Sequence, residues 1–248
     1  MSSKTLRDAI KIVPTRHHPT KLIPAGLSYR GGPLIKNVAI HSVYWGNYWS
    51  TASSPSTADI DGFLSFLVQS SFMNELFQYS EPAYPIGMGS LVQSTVLNIA
   101  VGASITDAEI QAQVRSFPLS TKSNPEHPPV YINDLYMVFV PPGVQVVMGG
   151  TMSCSSFCGY HDDISGARYY GVIAYPNCVG CDNAGSVFNS LTMVTSHEVA
   201  EAITDPIPGA GWYDNQFGEI GDFCNAQPKT LGAYTVQKIW SASAQQCV

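Results

Sequence analysis

Thr195-Ser196-His197-Glu198-Val199-Ala200-Glu201-Ala202-Ile203-Thr204-Asp205-Pro206 is the stretch from which both the fold and the chemistry of this chain are read. It forms the second half of a long helix that can be capped at Asn183 or Ser186 and is stopped by Pro206 and Pro208. Positions four apart lie on one helical face, so His197 and Glu201 address a common point with Glu198 beside them. The turn is flanked by Thr, Ser, Ala, Val and Ile, not by the Lys and Arg of a solvated face. Two carboxylates and an imidazole on so apolar a helix are costly to bury unless a cation accompanies them. The competing reading is an exposed turn with a solvated histidine, because a bare HExxE pattern carries little information on its own.

The spacing is that of H-E-x-x-H, with Glu201 in place of the second histidine. A zinc hydrolase needs three protein ligands, one open position and a base. His197 and Glu201 supply two ligands, and Glu198 is placed to be the base. Candidates for the third ligand are Asp205, Glu219 and Asp222, the last two within Gly218-Glu219-Ile220-Gly221-Asp222. His161, in Cys158-Gly159-Tyr160-His161-Asp162-Asp163, restores a second imidazole if the fold brings it near. With one imidazole and two carboxylates a zinc site is formally neutral. It then polarises a bound group less, and the harder oxygen donors admit a wider range of metals.

Composition narrows the class. The chain has 248 residues, enough for a full core, and no Pro/Ser/Gly run splits its middle. Charged residues make up 12%, about half the usual share of roughly 25%. The net charge of -6 and the absence of a Lys/Arg cluster argue against nucleic-acid binding. Arg16-His17-His18 is the nearest approach to a basic patch and reads as a solvated segment. No apolar run reaches the ~18 residues of a membrane span, and Met1 to Thr20 shows no signal-peptide core.

The six cysteines offer two readings: three disulfides, or a four-thiolate zinc site at Cys154, Cys158, Cys178 and Cys181 that leaves Cys224 and Cys247 aside. Low charge and an even cysteine count favour disulfides and a location outside the cell or in its wall. The unseen signal keeps a cytoplasmic location as the alternative.

Along the chain, residues 1–33 read as an extended arm and 34–248 as one domain. Strands are expected at Asn37–Trp45, Ser90–Val101, Leu135–Val140, Tyr169–Tyr175 and near Tyr234–Trp240. Helices are expected from Pro55–Thr57 through Tyr79, from the capping box Thr106-Asp107-Ala108-Glu109 to near Phe117, and up to Asp205. Ser120–Pro129 reads as a Pro-rich loop, with His127 solvated. His41 reads as a core or edge histidine, and Tyr44-Trp45 with Tyr48-Trp49 as a packing corner. The layout is α+β: a mixed twisted sheet packed on helices, the metal-site helix under it, and a loop-rich C-terminal part.

Two resemblances extend this reading. The helix resembles that of thermolysin-type zincins, whose motif runs into a similar Ala-x-Thr-Asp ending. That likeness implies Glu219 as third ligand, Asp222 as the partner orienting His197, and a structural Asp205. More widely, the chain resembles the EXORDIUM-like or phosphate-induced protein family and its microbial relatives. The segments that carry this likeness are Val43-Tyr44-Trp45-Gly46, Phe139-Val140-Pro141-Pro142-Gly143, Cys154 to His161, the pair Cys178/Cys181, Ser196 to Pro206, Gly211-Trp212-Tyr213-Asp214 and Glu219 to Cys224. Plant members look like secreted wall proteins. Microbial members with Ser-His-Glu resemble zincins, and this chain keeps that triplet.

The expectation is a zincin-like, zinc-dependent hydrolase, most simply a peptidase with a peptide or protein substrate and one zinc at the HExxE helix; a second zinc at the cysteines is the weaker alternative. Two other functions compete with it. One is a secreted or wall-associated binding protein that keeps a structural metal and meets a cell-wall component. The other is a metal-dependent enzyme that is not a peptidase.

Overall fold

The computed structural model describes residues 12–14, 26–118 and 133–248. Arg16-His17-His18 and the Pro-rich loop Ser120–Pro129 with His127 lie outside the described residues. Six strands form the main sheet: β1 (Ile12–Pro14), β2 (Ala39–Trp45), β3 (Ser90–Leu97), β4 (Asp134–Phe139), β5 (Phe157–Asp163) and β6 (Tyr169–Ile173). Their spatial order is β1-β5-β6-β4-β2-β3. The β6/β4, β4/β2 and β2/β3 pairs are parallel, whereas β6/β5 and β5/β1 are antiparallel. The result is a mixed sheet with a parallel centre and an antiparallel flank.

Alternation along the central strands feeds two apolar cores, one on each side. Leu135, Met137 and Phe139 of β4 join one core, while Tyr136 and Val138 join the other. The first core is closed by α1 (Thr57–Leu67), α2 (Ser71–Leu76) and α4 (Val187–Thr204). The second is closed by α3 (Asp107–Ser116) through Ile110 and Val114. Helices therefore cover both faces, and α4 lies against β5 and β6 with a ribbon (Pro228–Leu231, Tyr234–Gln237) on its other side.

Local chemistry sets the helix starts. At α3, Thr106 Oγ1 accepts from Glu109 N at 3.3 Å while Glu109 Oε2 accepts from Thr106 N at 2.7 Å, the capping box expected there. An equivalent box forms between Ser56 and Asp59 at α1. The expected helix through Tyr79 is in fact two, because Ser70 caps a new start by accepting from Phe72 N. Ser186 caps α4, whose residues from Ser190 to Thr204 are all buried.

Three disulfides join Cys154 to Cys178, Cys158 to Cys181 and Cys224 to Cys247, and no thiol is left free. The sulfurs are bonded to one another, so a zinc site built on them has no thiolate to use. The first two bridges fasten β5 and the turn before it to the segment that leads into α4. At the aromatic corner, buried Trp49 packs on Tyr44 with ring centroids 5.3 Å apart. His41 is buried, 2.9 Å from Asp134 Oδ1 and stacked on Tyr136. No helix among the described residues is long and apolar enough to cross a membrane.

Candidate metal centre

The last two turns of α4 carry His197, Glu198 and Glu201 into the space between the helix and β5. Two glycines let the backbones close in. A Cβ on Gly159 of β5 would stand 2.8 Å from Val194 Cγ1 and 2.9 Å from Glu198 Oε1. A Cβ on Gly221 would stand 2.8 Å from both Glu201 Oε1 and His197 Nδ1. Each glycine is the condition for a neighbour's place in the site.

His197, Glu198, Glu201, Glu219 and Asp205 are fully buried, and His161 is 1% exposed. Glu201 is held through Oε1, which accepts from Gly221 N at 3.1 Å and Asp222 N at 3.0 Å. Its Oε2 lies 3.0 Å from His197 Nε2 and 3.8 Å from His161 Nδ1. The His197 contact is short but off the line of a hydrogen bond, so both atoms are left without a hydrogen-bond partner. Glu198 Oε1 and both Glu219 carboxylate oxygens are buried without a partner as well. Gln237 braces His197, its Nε2 2.6 Å from Nδ1 and 2.9 Å from Gly221 O.

His161 enters from β5. Its Nδ1 lies 3.4 Å from Glu198 Oε2, and its Nε2 lies 3.3 Å from Glu219 Oε1 and 3.1 Å from the Asp205 carbonyl. Sequence reasoning left this residue as an alternative because nothing in it forecast a strand over Phe157–Asp163. Gly159, Asp162 and Asp163 weaken the strand signal. Two trios of donor atoms result, each mutually within 4.8 Å: His161, Glu198 and Glu201, and His197, Glu201 and Asp222. Glu219 stands across His161 from the first trio. The Asp205 carboxylate is spent on the chain itself, accepting from Gly209 N at 2.6 Å, Ala210 N at 3.0 Å and Gly211 N. Asp222 Oδ2 accepts from Glu219 N at 3.0 Å and so fixes the loop that delivers Glu219.

The electrostatics are those of a crowded, dry cluster. Burial pushes Glu198 up and Glu219 well above the carboxylate range. Burial works against charge on Glu201 too, but the adjoining His197 outweighs it and lowers the group. Burial alone would lower both histidines. The Glu219 charge instead raises His161 well above its usual value, and the Glu201 charge raises His197 to about 9. Without a cation, protons have to do the neutralising.

A surface cleft lined by Asn183, Ala184, Pro228, Lys229, Thr230 and Thr235 lies near the N-terminal end of α4, and none of its lining residues belongs to the cluster. Fold and site thus define an α+β protein with a buried imidazole–carboxylate centre able to hold a metal ion. No family profile, no curated protein and no solved structure matches the chain.

Proposed function

We propose that the protein is a metal-dependent hydrolase, most simply a zinc peptidase acting outside the cell. His197 and Glu201 hold the cation with Asp222 beside them, in the place the sequence offered to Glu219, and Glu198 serves as base. One observation carries this reading: of nine buried side-chain polar atoms without a hydrogen-bond partner among the described residues, five belong to His197, Glu198, Glu201 and Glu219. Buried polar groups are nearly always satisfied, so orphans that gather in one place call for a missing partner. Nitrogen and carboxylate oxygen donors fit a divalent ion such as zinc.

When bound, the cation supplies Lewis-acid polarisation of a carbonyl and of water. The chain's own residues do the rest. Glu198 accepts a proton from the attacking water and passes it to the leaving amine, and burial, by raising its proton affinity, suits it to both halves of that exchange. Glu201, pinned by two backbone N–H groups, keeps its free oxygen aimed inward. The likeness to zincins and to the microbial EXORDIUM-like proteins points the same way. Three disulfides favour an oxidising location.

The test is Glu198→Gln in the full chain. The variant should keep the cation on His197 and Glu201 yet lose hydrolysis of a dye-labelled unfolded polypeptide by a factor of about 10²–10⁴, the usual share of a general base. A variant as active as the parent removes the mechanism. Chelation should stop hydrolysis too. If the parent hydrolyses nothing and chelation only lowers the melting temperature, the metal is structural and the hydrolase reading falls.

A further inference from the structure

We propose that the centre takes two divalent cations, with Glu201 shared between them, the second held by His161, Glu198 and Glu201. This rests on the reading of the cluster as a cation site and goes beyond it in number, ligands and the part played by Glu198.

The first argument is the proton on His161. Its Nε2 lies 3.1 Å from the Asp205 carbonyl, a group that can only accept. The ring therefore carries a proton on Nε2, with the Glu219 carboxylate 3.3 Å away. Nδ1 is left to face Glu198 Oε2 at 3.4 Å and Glu201 Oε2 at 3.8 Å. Nδ1 and Glu198 Oε2 meet in a hydrogen bond, and a cation that takes the place of its proton finds Nδ1, Glu198 and Glu201 within reach of one point. A carbonyl or carboxylate fixing the far nitrogen is the usual way a protein orients a metal-binding histidine.

The second argument is the orphaned atoms. Glu198 Oε1, Glu201 Oε2 and His197 Nε2 are all buried without a hydrogen-bond partner, and Glu201 Oε2 lies 3.0 Å from His197 Nε2 and 3.8 Å from His161 Nδ1. Glu201 belongs to both trios, and with its Oε1 committed to two backbone N–H groups its free atom is Oε2.

The third argument is charge. Leaving aside Asp205, whose charge three backbone N–H groups meet, Glu198, Glu201 and Glu219 are fully buried and Asp222 closes the rim, giving four carboxylates against two imidazoles that are neutral once they ligate. One dication leaves two negative charges in a medium that tolerates few. Two dications balance the set, and an oxygen-bridged pair about 3.5–4 Å apart is a standard arrangement for hydrolysis. The two sides should load unequally. The His161 side is set, whereas a cation on His197 Nε2 puts the ring proton on Nδ1. Gln237 must then turn its amide oxygen to meet that proton, giving up its bond from Ala226 N.

The experiment is a Co²⁺ titration of the full chain, stripped by chelator, read by visible absorption and by metal analysis after dialysis. Two equivalents should bind in two resolvable steps. Mn²⁺-loaded protein should show the exchange-coupled electron paramagnetic resonance spectrum of a close pair. His161→Asn and Glu198→Gln should each lower the stoichiometry from two to one, and Glu201→Ala should lower it to none. A wild-type stoichiometry of one overturns the proposal, whether or not any variant folds, and means that a proton fills the His161 side. An unchanged stoichiometry in His161→Asn overturns it equally. Two bound equivalents without hydrolysis would uphold this centre and remove the hydrolase reading; one equivalent with hydrolysis would do the reverse.

Discussion

Gly221 shows how finely the site is set at the scale of one residue. Its N–H donates to Glu201, and an added methyl would stand 2.8 Å from that carboxylate and from the His197 ring. Gly221→Ala must therefore push the loop off the helix or turn the ligands. Overpacking of this kind costs typically about 1–3 kcal/mol. We expect the variant to fold with a lower melting temperature and to hold Zn²⁺ at least tenfold more weakly, measured by competition with a chromogenic chelator. Unchanged affinity would mean that the Glu201–His197 geometry does not matter for the metal. Gly159→Ala strikes the other wall. There the methyl meets Val194 and Glu198, so hydrolysis should fall further than metal affinity if Glu198 is the base. Both glycines were invisible as site residues in the sequence, since nothing there tells a close approach from an ordinary turn.

At the scale of elements, two disulfides hold the site's strand to the approach to its helix. Cys154–Cys178 and Cys158–Cys181 span 24 and 23 residues. By loop-closure entropy each such bridge is worth about 3 kcal/mol. Breaking both by Cys154→Ser with Cys158→Ser should lower stability in urea unfolding and speed loss of Zn²⁺ to a chelator, because His161 sits three residues beyond Cys158 on β5. Equal chelation rates would show that β5 needs no clamp. The elements that the sequence revealed are those with strong local signals: the capping box at Thr106, the apolar run of β4, and α4 between Ser186 and Pro206. Those it hid have mixed signals. The run Phe157–Asp163 contains a glycine, a histidine and two aspartates, so it carries no clear strand pattern. It becomes a strand because β6 pairs with residues 159–163, from Tyr169↔Asp163 to Ile173↔Gly159. With β5 hidden, His161 could not be placed in the centre. The HExxE face was legible because its helical spacing is local, and its partners were not because sheet pairing is not.

For the molecule as a whole, the buried cluster dictates an unusual response to pH. His197 is raised to about 9, His161 and Glu219 well above their ordinary values, and Glu198 upward. Asp162, half-buried in β5, is pushed up to about 6 by desolvation. All of these bind protons more tightly folded than unfolded, so the metal-free native state carries the excess. Stability then falls as pH rises wherever that holds. For Glu198 and Glu219 the loss starts above the unfolded value of 4.5, for Asp162 it runs from 3.8 to about 6, and for His197 from about 6.5 to about 9. Glu201, lowered on folding, works oppositely: its contribution is present above 4.5 and lost below. The metal-free chain should therefore melt highest in mildly acid buffer and progressively lower toward pH 9. A cation reverses the trend, since it takes the place of those protons and binds better as they leave. The difference in melting temperature between Zn²⁺-loaded and chelated protein should thus widen steadily from pH 5 to pH 9 in calorimetric scans. A metal-free chain that gains stability over the same range, or a difference that does not change, would mean that the cluster is not neutralised by exchange of protons for a cation.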